Sequence, residues 1–115
     1  MKSYTDIIQS KKLAEILPIE SADMWYSYYG NPKYNHTIAY EGEQWFLCQI
    51  RNSSHDIPAW SLAALLNVIG NIFKYGLDYN GASFTLIVGD FEITNETTVD
   101  ACYRMILRLH ETFGR

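Results

Sequence analysis

HTIAYEGEQWFLCQI, running from His36 to Ile50, holds two arms rich in β-branched and aromatic residues, His36 to Tyr40 and Gln44 to Ile50. Between them stands Glu41-Gly42-Glu43, a short connection whose glycine can adopt positive φ, so the segment predicts a β-hairpin. Side chains alternate across a strand, which sends Phe46, Cys48 and Ile50 to one face of the second arm and Trp45 and Leu47 to the other. Both faces are therefore apolar. A sheet of that kind is either covered on both sides or presents one aromatic face to a partner.

Upstream, Asp23-Met24-Trp25-Tyr26-Ser27-Tyr28-Tyr29 is an aromatic run that favours pleated structure, closed by the turn residues Gly30-Asn31-Pro32-Lys33. Before it a short helix is expected from Thr5 or Ser10 to Leu17, with Leu13, Ile16 and Leu17 as its stripe and Pro18 as its stop. Downstream, Asp56 is placed to cap a helix with Pro58 in its first turn and running to Ile69. Trp60, Leu62, Ala63, Leu65, Leu66 and Ile69 would make that helix apolar all round, hence central, with Gly70 as its C-cap.

Gly76 and Asn80-Gly81 read as turns. Ser83 to Val88 and Phe91 to Thr94 then flank Gly89-Asp90 as a second hairpin. From Thr98 to Phe113, Val99, Cys102, Tyr103, Ile106, Leu109 and Phe113 form an apolar stripe against Asp100, Arg104, Arg108 and Glu111, with Gly114 just beyond. The expectation is a single α+β domain over residues 1–115. About five short, mainly antiparallel strands carry the central and C-terminal helices on one face, with the N-terminal helix at an edge.

Composition narrows the function classes. The 115 residues are 48% hydrophobic and 19% charged, unlike a disordered tail. A net charge of −4 gives no basic footprint for nucleic acid, and Lys33 is the sole cation between Lys12 and Arg51. The longest charge-free stretch, Ile57 to Phe73, is interrupted by Pro58, Ser61, Asn67, Gly70 and Asn71, which favours a core helix and loop over a membrane span. No apolar leader follows the N-terminus, and both cysteines sit in apolar runs, so a reduced, cytoplasmic protein is expected.

Three blocks carry a family likeness: Leu13-Ala14-Glu15-Ile16-Leu17-Pro18 with Glu20-Ser21-Ala22-Asp23-Met24, then Pro58-Ala59-Trp60-Ser61-Leu62-Ala63-Ala64-Leu65-Leu66, then Asp100-Ala101-Cys102 with Met105-Ile106-Leu107-Arg108-Leu109-His110-Glu111. In this order they resemble a family of small uncharacterised proteins encoded in prophage-like and mobile-element regions of anaerobic gut bacteria. The resemblance implies an accessory cytoplasmic role and transfers no catalytic residue.

Catalytic constellations are weak. His36, His55 and His110 are scattered, no Gly-x-Ser-x-Gly elbow accompanies them, and no Cys-x-x-Cys or His-x3-His spacing points to a metal. Gly70, Gly76, Gly81 and Gly89 match neither a P-loop nor a dinucleotide fingerprint, so no cofactor is expected. What stands out is the aromatic content: eight of 17 aromatic residues fall between Asp23 and Phe46. Alternation sends Trp25 and Tyr29 one way and Tyr26 and Tyr28 the other, so they cannot all be core.

Trp25, Tyr26, Tyr28, Tyr29, Tyr34 and Trp45 are thus candidates for a binding surface, because tyrosine combines large contact area with a polar tip and little rotamer entropy to lose. The leading expectation is a non-enzymatic interaction module with a protein partner, self-associating through this region or an exposed strand edge. The alternative is a ligand-binding protein or small enzyme with Trp25, Tyr28 and Trp45 lining a pocket and Asp23 or His36 as its polar group.

Overall fold

The computed structural model describes residues 2–113, so Gly114 lies outside the described residues. The fold is α+β, and the described residues form three α-helices and seven short strands in two antiparallel sheets. Contacts group the described residues into two compact units, 6–60 in one and 2–5 with 61–113 in the other.

The first unit begins with helix α1 (Ile7–Ala14). Asp6 caps it by accepting from the Gln9 amide at 2.8 Å, while the Gln9 side chain accepts from the Asp6 amide at 3.1 Å, a reciprocal box that satisfies two orphan donors. The helix stops before Pro18, and Ile16 and Leu17 lie in the turns that follow. Its buried stripe is Ile7, Ser10 and Leu13.

Four strands follow: β1 (Met24–Ser27), β2 (His36–Tyr40), β3 (Glu43–Cys48) and β4 (Ile57–Ala59), in spatial order β2-β3-β1-β4. The predicted hairpin is β2–β3, closed by the two residues Glu41 and Gly42 at φ 50° and 76°. Positive φ at both central positions is the turn whose twist matches paired strands. Trp45, Phe46, Leu47 and Cys48 are all buried, so β3 is covered on both faces. Ile50, expected to extend this strand, lies beyond it and is exposed.

Register sorts the two faces. Tyr26 opposes Leu47, and these two join Trp45, Ala59 and Ile7 in one apolar cluster. Trp25 opposes Cys48 and Ser27 opposes Phe46 on the other face. There Gly30 closes over the Phe46 ring so tightly that a Cβ at Gly30 would stand 2.4 Å from Phe46 Cβ.

Pro58 corrects the sequence expectation. It belongs to β4, an edge strand opposite Trp25, where the missing N–H costs no ladder bond. Asp56 does not cap a helix. Its carboxylate accepts from the Asn52 and Ser53 amides at 2.6 and 3.1 Å and closes the loop before β4.

In the second unit, helix α2 (Leu62–Gly70) starts instead at Ser61, whose hydroxyl accepts from the Ala64 amide at 3.2 Å. Leu65 and Ile69 are buried, whereas Ala63 and Asn67 are exposed, so the helix has one buried stripe rather than an apolar circumference. Trp60 precedes it, and Asn71 rather than Gly70 is its C-cap.

Strands β5 (Gly76–Tyr79), β6 (Phe84–Val88) and β7 (Phe91–Asn95) form a meander in the order β5-β6-β7. The β6–β7 hairpin turns at Gly89-Asp90 as expected, with Gly89 at φ 59°. β5 occupies a stretch that sequence assigns to turns. Helix α3 (Thr98–Phe113) has the predicted limits and packs on β6, β7 and α2. Thr97 Oγ1 accepts from the Asp100 amide at 3.1 Å and donates to the Asp100 carboxylate at 2.7 Å, and Lys2 adds an ion pair to Asp100 at 2.8 Å.

Candidate functional site

β1 and the β2–β3 hairpin divide the predicted surface residues between interior and exterior. Tyr26 and Trp45 are core, with 2% and 6% of their surface exposed. Tyr28 lies across Trp45, ring centroids 3.9 Å apart and planes 29° from parallel. The phenol pKa is raised above its ordinary value, chiefly by hydrogen-bonding interaction with the nearby Glu43 carboxylate, with slight desolvation and the negative charges of Glu43 and Glu41 pushing the same way.

Tyr29 and Tyr34 stand out from the unit, 66% and 74% exposed. The Tyr29 amide donates to Ser27 Oγ at 3.0 Å, turning the chain at the end of β1. Asn31 holds the next turn: its side-chain carbonyl accepts from the Lys33 amide at 2.9 Å and its backbone carbonyl from the Tyr34 amide at 3.0 Å. Lys33 Nζ lies 5.4 Å from the Tyr34 ring centroid. Trp25, on the opposite face of the sheet from Trp45, is half-buried beneath Arg51, whose guanidinium is 4.7 Å from the ring centroid.

Asp23 and His36 are both exposed and are not brought together. The register puts His36 on the Leu47 face and Asp23, just before β1, on the Trp25 face. Strand spacing and rise separate them by about 14 Å. The sheet likewise separates Trp25 from Tyr28 and Trp45. The six aromatic candidates thus form a stacked pair, a buried anchor, a cation-covered indole and two projecting tyrosines.

Sequence reasoning missed Glu43 as the charge that acts on Tyr28; its place beside the tight turn, directly preceding Gln44-Trp45, was the available signal. It also missed the exposed aromatics Tyr75 and Tyr79 of the second unit, although Tyr75, Leu77 and Tyr79 alternate as a strand does.

Trp45 carries one further feature. Its Nε1–H is buried with no hydrogen-bond partner among the described residues. An unpaired buried donor costs about 1–3 kcal/mol. Trp45→Phe deletes that donor while keeping a ring beneath Tyr28, so urea denaturation is expected to show a loss below about 1 kcal/mol, against about 3–5 kcal/mol for Trp45→Ala.

The cysteines offer no nucleophile at neutral pH. Both are free and buried. Burial holds the Cys102 thiol up at about 12, and burial followed by the Asp56 charge raises Cys48. Among the described residues, no group of three or more His, Cys, Asp or Glu could hold a metal ion, and no helix is long and apolar enough to cross a membrane. No family model, curated protein or solved structure matches the chain. What the fold and surface define is an α+β protein that projects tyrosines beside an open β-strand edge.

Proposed function

We propose that this chain is a non-enzymatic protein-interaction module that engages a protein partner through Tyr28, Tyr29 and Tyr34. The observation that carries this reading is the two-tier arrangement of the aromatics: Trp45 and Tyr26 anchor the sheet from inside while Tyr29 and Tyr34 project from turns fixed by Ser27 and Asn31. A side chain held on a rigid turn loses little freedom on binding, and tyrosine then contributes both apolar area and a hydroxyl. β2, an edge strand beside this surface, supplies unpaired backbone groups for strand addition.

An accessory role in the cytoplasm, in the mobile-element setting that the family likeness implies, accords with such a module. A pocket that draws on Trp25, Trp45, Asp23 and His36 together has less support, because the sheet divides them.

Tyr29→Ala/Tyr34→Ala tests the proposal. Both side chains are exposed, so the double variant is expected to unfold within about 0.5 kcal/mol of the parent. Affinity capture from the native host should lose the proteins that the parent chain retains. An unchanged set of retained proteins would remove these tyrosines from the binding surface.

A further inference from the structure

β5 is the outer strand of the three-stranded sheet, paired with β6 on one side only, and all four of its residues are exposed. The register sets Leu77 opposite Leu86 and Tyr79 opposite Phe84. Leu77 and Tyr79 therefore continue the face on which Leu86 and Val88 are buried, yet they remain 40% and 61% exposed. Tyr79 stacks on Phe84 with centroids 4.5 Å apart. The opposite face of β5 carries Gly76 and Asp78, beside Ile87 and Thr85. An apolar sheet face thus runs out to an open edge.

Open edges are ordinarily blunted by like charges, proline or a bulge. The sequence Lys74-Tyr75-Gly76-Leu77-Asp78-Tyr79 has no proline, and its two charges are of opposite sign, four residues apart. Neither Lys74 nor Asp78 has an ion-pair partner among the described residues. Lys74 and Tyr75 lead into β5 without regular structure of their own, so the strand has room to lengthen.

Symmetry restricts how two such edges can meet. Hydrogen-bonded and non-hydrogen-bonded pairs alternate along an antiparallel ladder. A two-fold axis must map each pair onto one of its own kind, so it passes through a residue paired with its own copy. Centring on Asp78 opposes two carboxylates, and centring on Tyr79 leaves Lys74 without a match. A Leu77 centre sets Lys74 against Asn80 and Asp78 against Gly76. Only the Gly76 centre sets Lys74 opposite Asp78 of the other copy, twice, and Tyr75 opposite Leu77, twice, both favourable cross-strand pairs. Glycine at the axis adds no side chain, and the space where its Cβ would stand is empty to 4 Å.

We propose that a second copy of this chain pairs with β5 in antiparallel register centred on Gly76, joining two three-stranded sheets into one of six strands. This dimer uses the second unit and does not depend on the tyrosine surface of the first. The Lys74–Asp78 pairs choose the register, and the Tyr75–Leu77 pairs bury the apolar face that α3 leaves exposed.

Sedimentation velocity across a concentration series tests it. The parent chain is expected to dimerise reversibly. Asp78→Lys places lysine against lysine and Lys74→Asp places aspartate against aspartate, so each alone should weaken the dimer at least tenfold. Mixed one to one, the two variants should form a heterodimer, because every cross-strand pair is again opposite in charge. The double exchange Lys74→Asp/Asp78→Lys should restore the homodimer. Recovery on mixing separates lost pairing from misfolding, since two misfolded chains would not rescue each other. A parent chain that is monomeric throughout would overturn the proposal. So would a dimer that survives both single reversals, or one abolished by Tyr29→Ala/Tyr34→Ala instead.

Discussion

Gly30→Ala should be among the most damaging single-atom additions to this chain, lowering its unfolding free energy by about 3 kcal/mol. The added Cβ would meet Phe46 Cβ at 2.4 Å and Cγ at 2.5 Å. Phe46 Cβ is fixed by the β3 backbone whatever the ring does, so no rotamer change at Phe46 clears the contact and the turn itself must shift. That turn carries the chain from β1 to β2 past the projecting Tyr29 and Tyr34, so the same substitution disturbs the candidate surface. Thermal unfolding followed by near-ultraviolet circular dichroism should fall by about 10–15 °C. Gly76→Ala is the control: its Cβ would meet nothing within 4 Å, and its stability should stay within about 0.5 kcal/mol of the parent.

Trp60→Ala is the second large effect. Trp60 is fully buried, and its Nε1–H donates to Ser21 Oγ at 3.0 Å, while that hydroxyl donates to the Pro18 carbonyl at 2.6 Å. The indole thus fastens the short 3-10 turn Ile19–Ser21 that leads into β1. Truncation removes the largest fully buried side chain and opens a cavity, for an expected loss of about 3–5 kcal/mol in urea denaturation. Trp60→Phe keeps most of the volume and loses the donor, so its midpoint should fall between the two. Equal losses for both substitutions would show that the Ser21 contact, rather than packing, sets the contribution of Trp60.

Where local rules and tertiary packing agreed, the fold was legible in the sequence. α3 combines a strong apolar period with a capping threonine, and both hairpins carry tight turns between apolar arms. The Pro58 region failed because proline suits either a helix's first turn or an edge strand, and only pairing with Trp25 decides between them. β5 failed for a different reason. Its glycine and flanking Asn80-Gly81 look like turn signals, and a strand exposed at every position shows no contrast between faces.

Within the candidate surface, alternation correctly anticipated that Trp25 and Tyr26 part company, and it also placed Tyr28 on the Tyr26 side. Which side was interior was not legible. Trp45 is buried and Tyr34 exposed because of α1 and the 30–35 turn, which a strand pattern does not encode.

The bridge between Tyr4 and Ser61, reinforced by the Leu62 amide donating to the Ser3 carbonyl at 3.2 Å, brings together the two points where the chain leaves and rejoins the second unit. Residues 6–60 leave and re-enter at neighbouring points, so the first unit is an insertion within the second. The entropy of closing such an excursion grows only with the logarithm of its length. The host unit is therefore nearly indifferent to how long the inserted part is. A change in the length of the inserted unit thus costs the host unit little closure entropy, because the meander and its helices are built from residues on either side of the insertion.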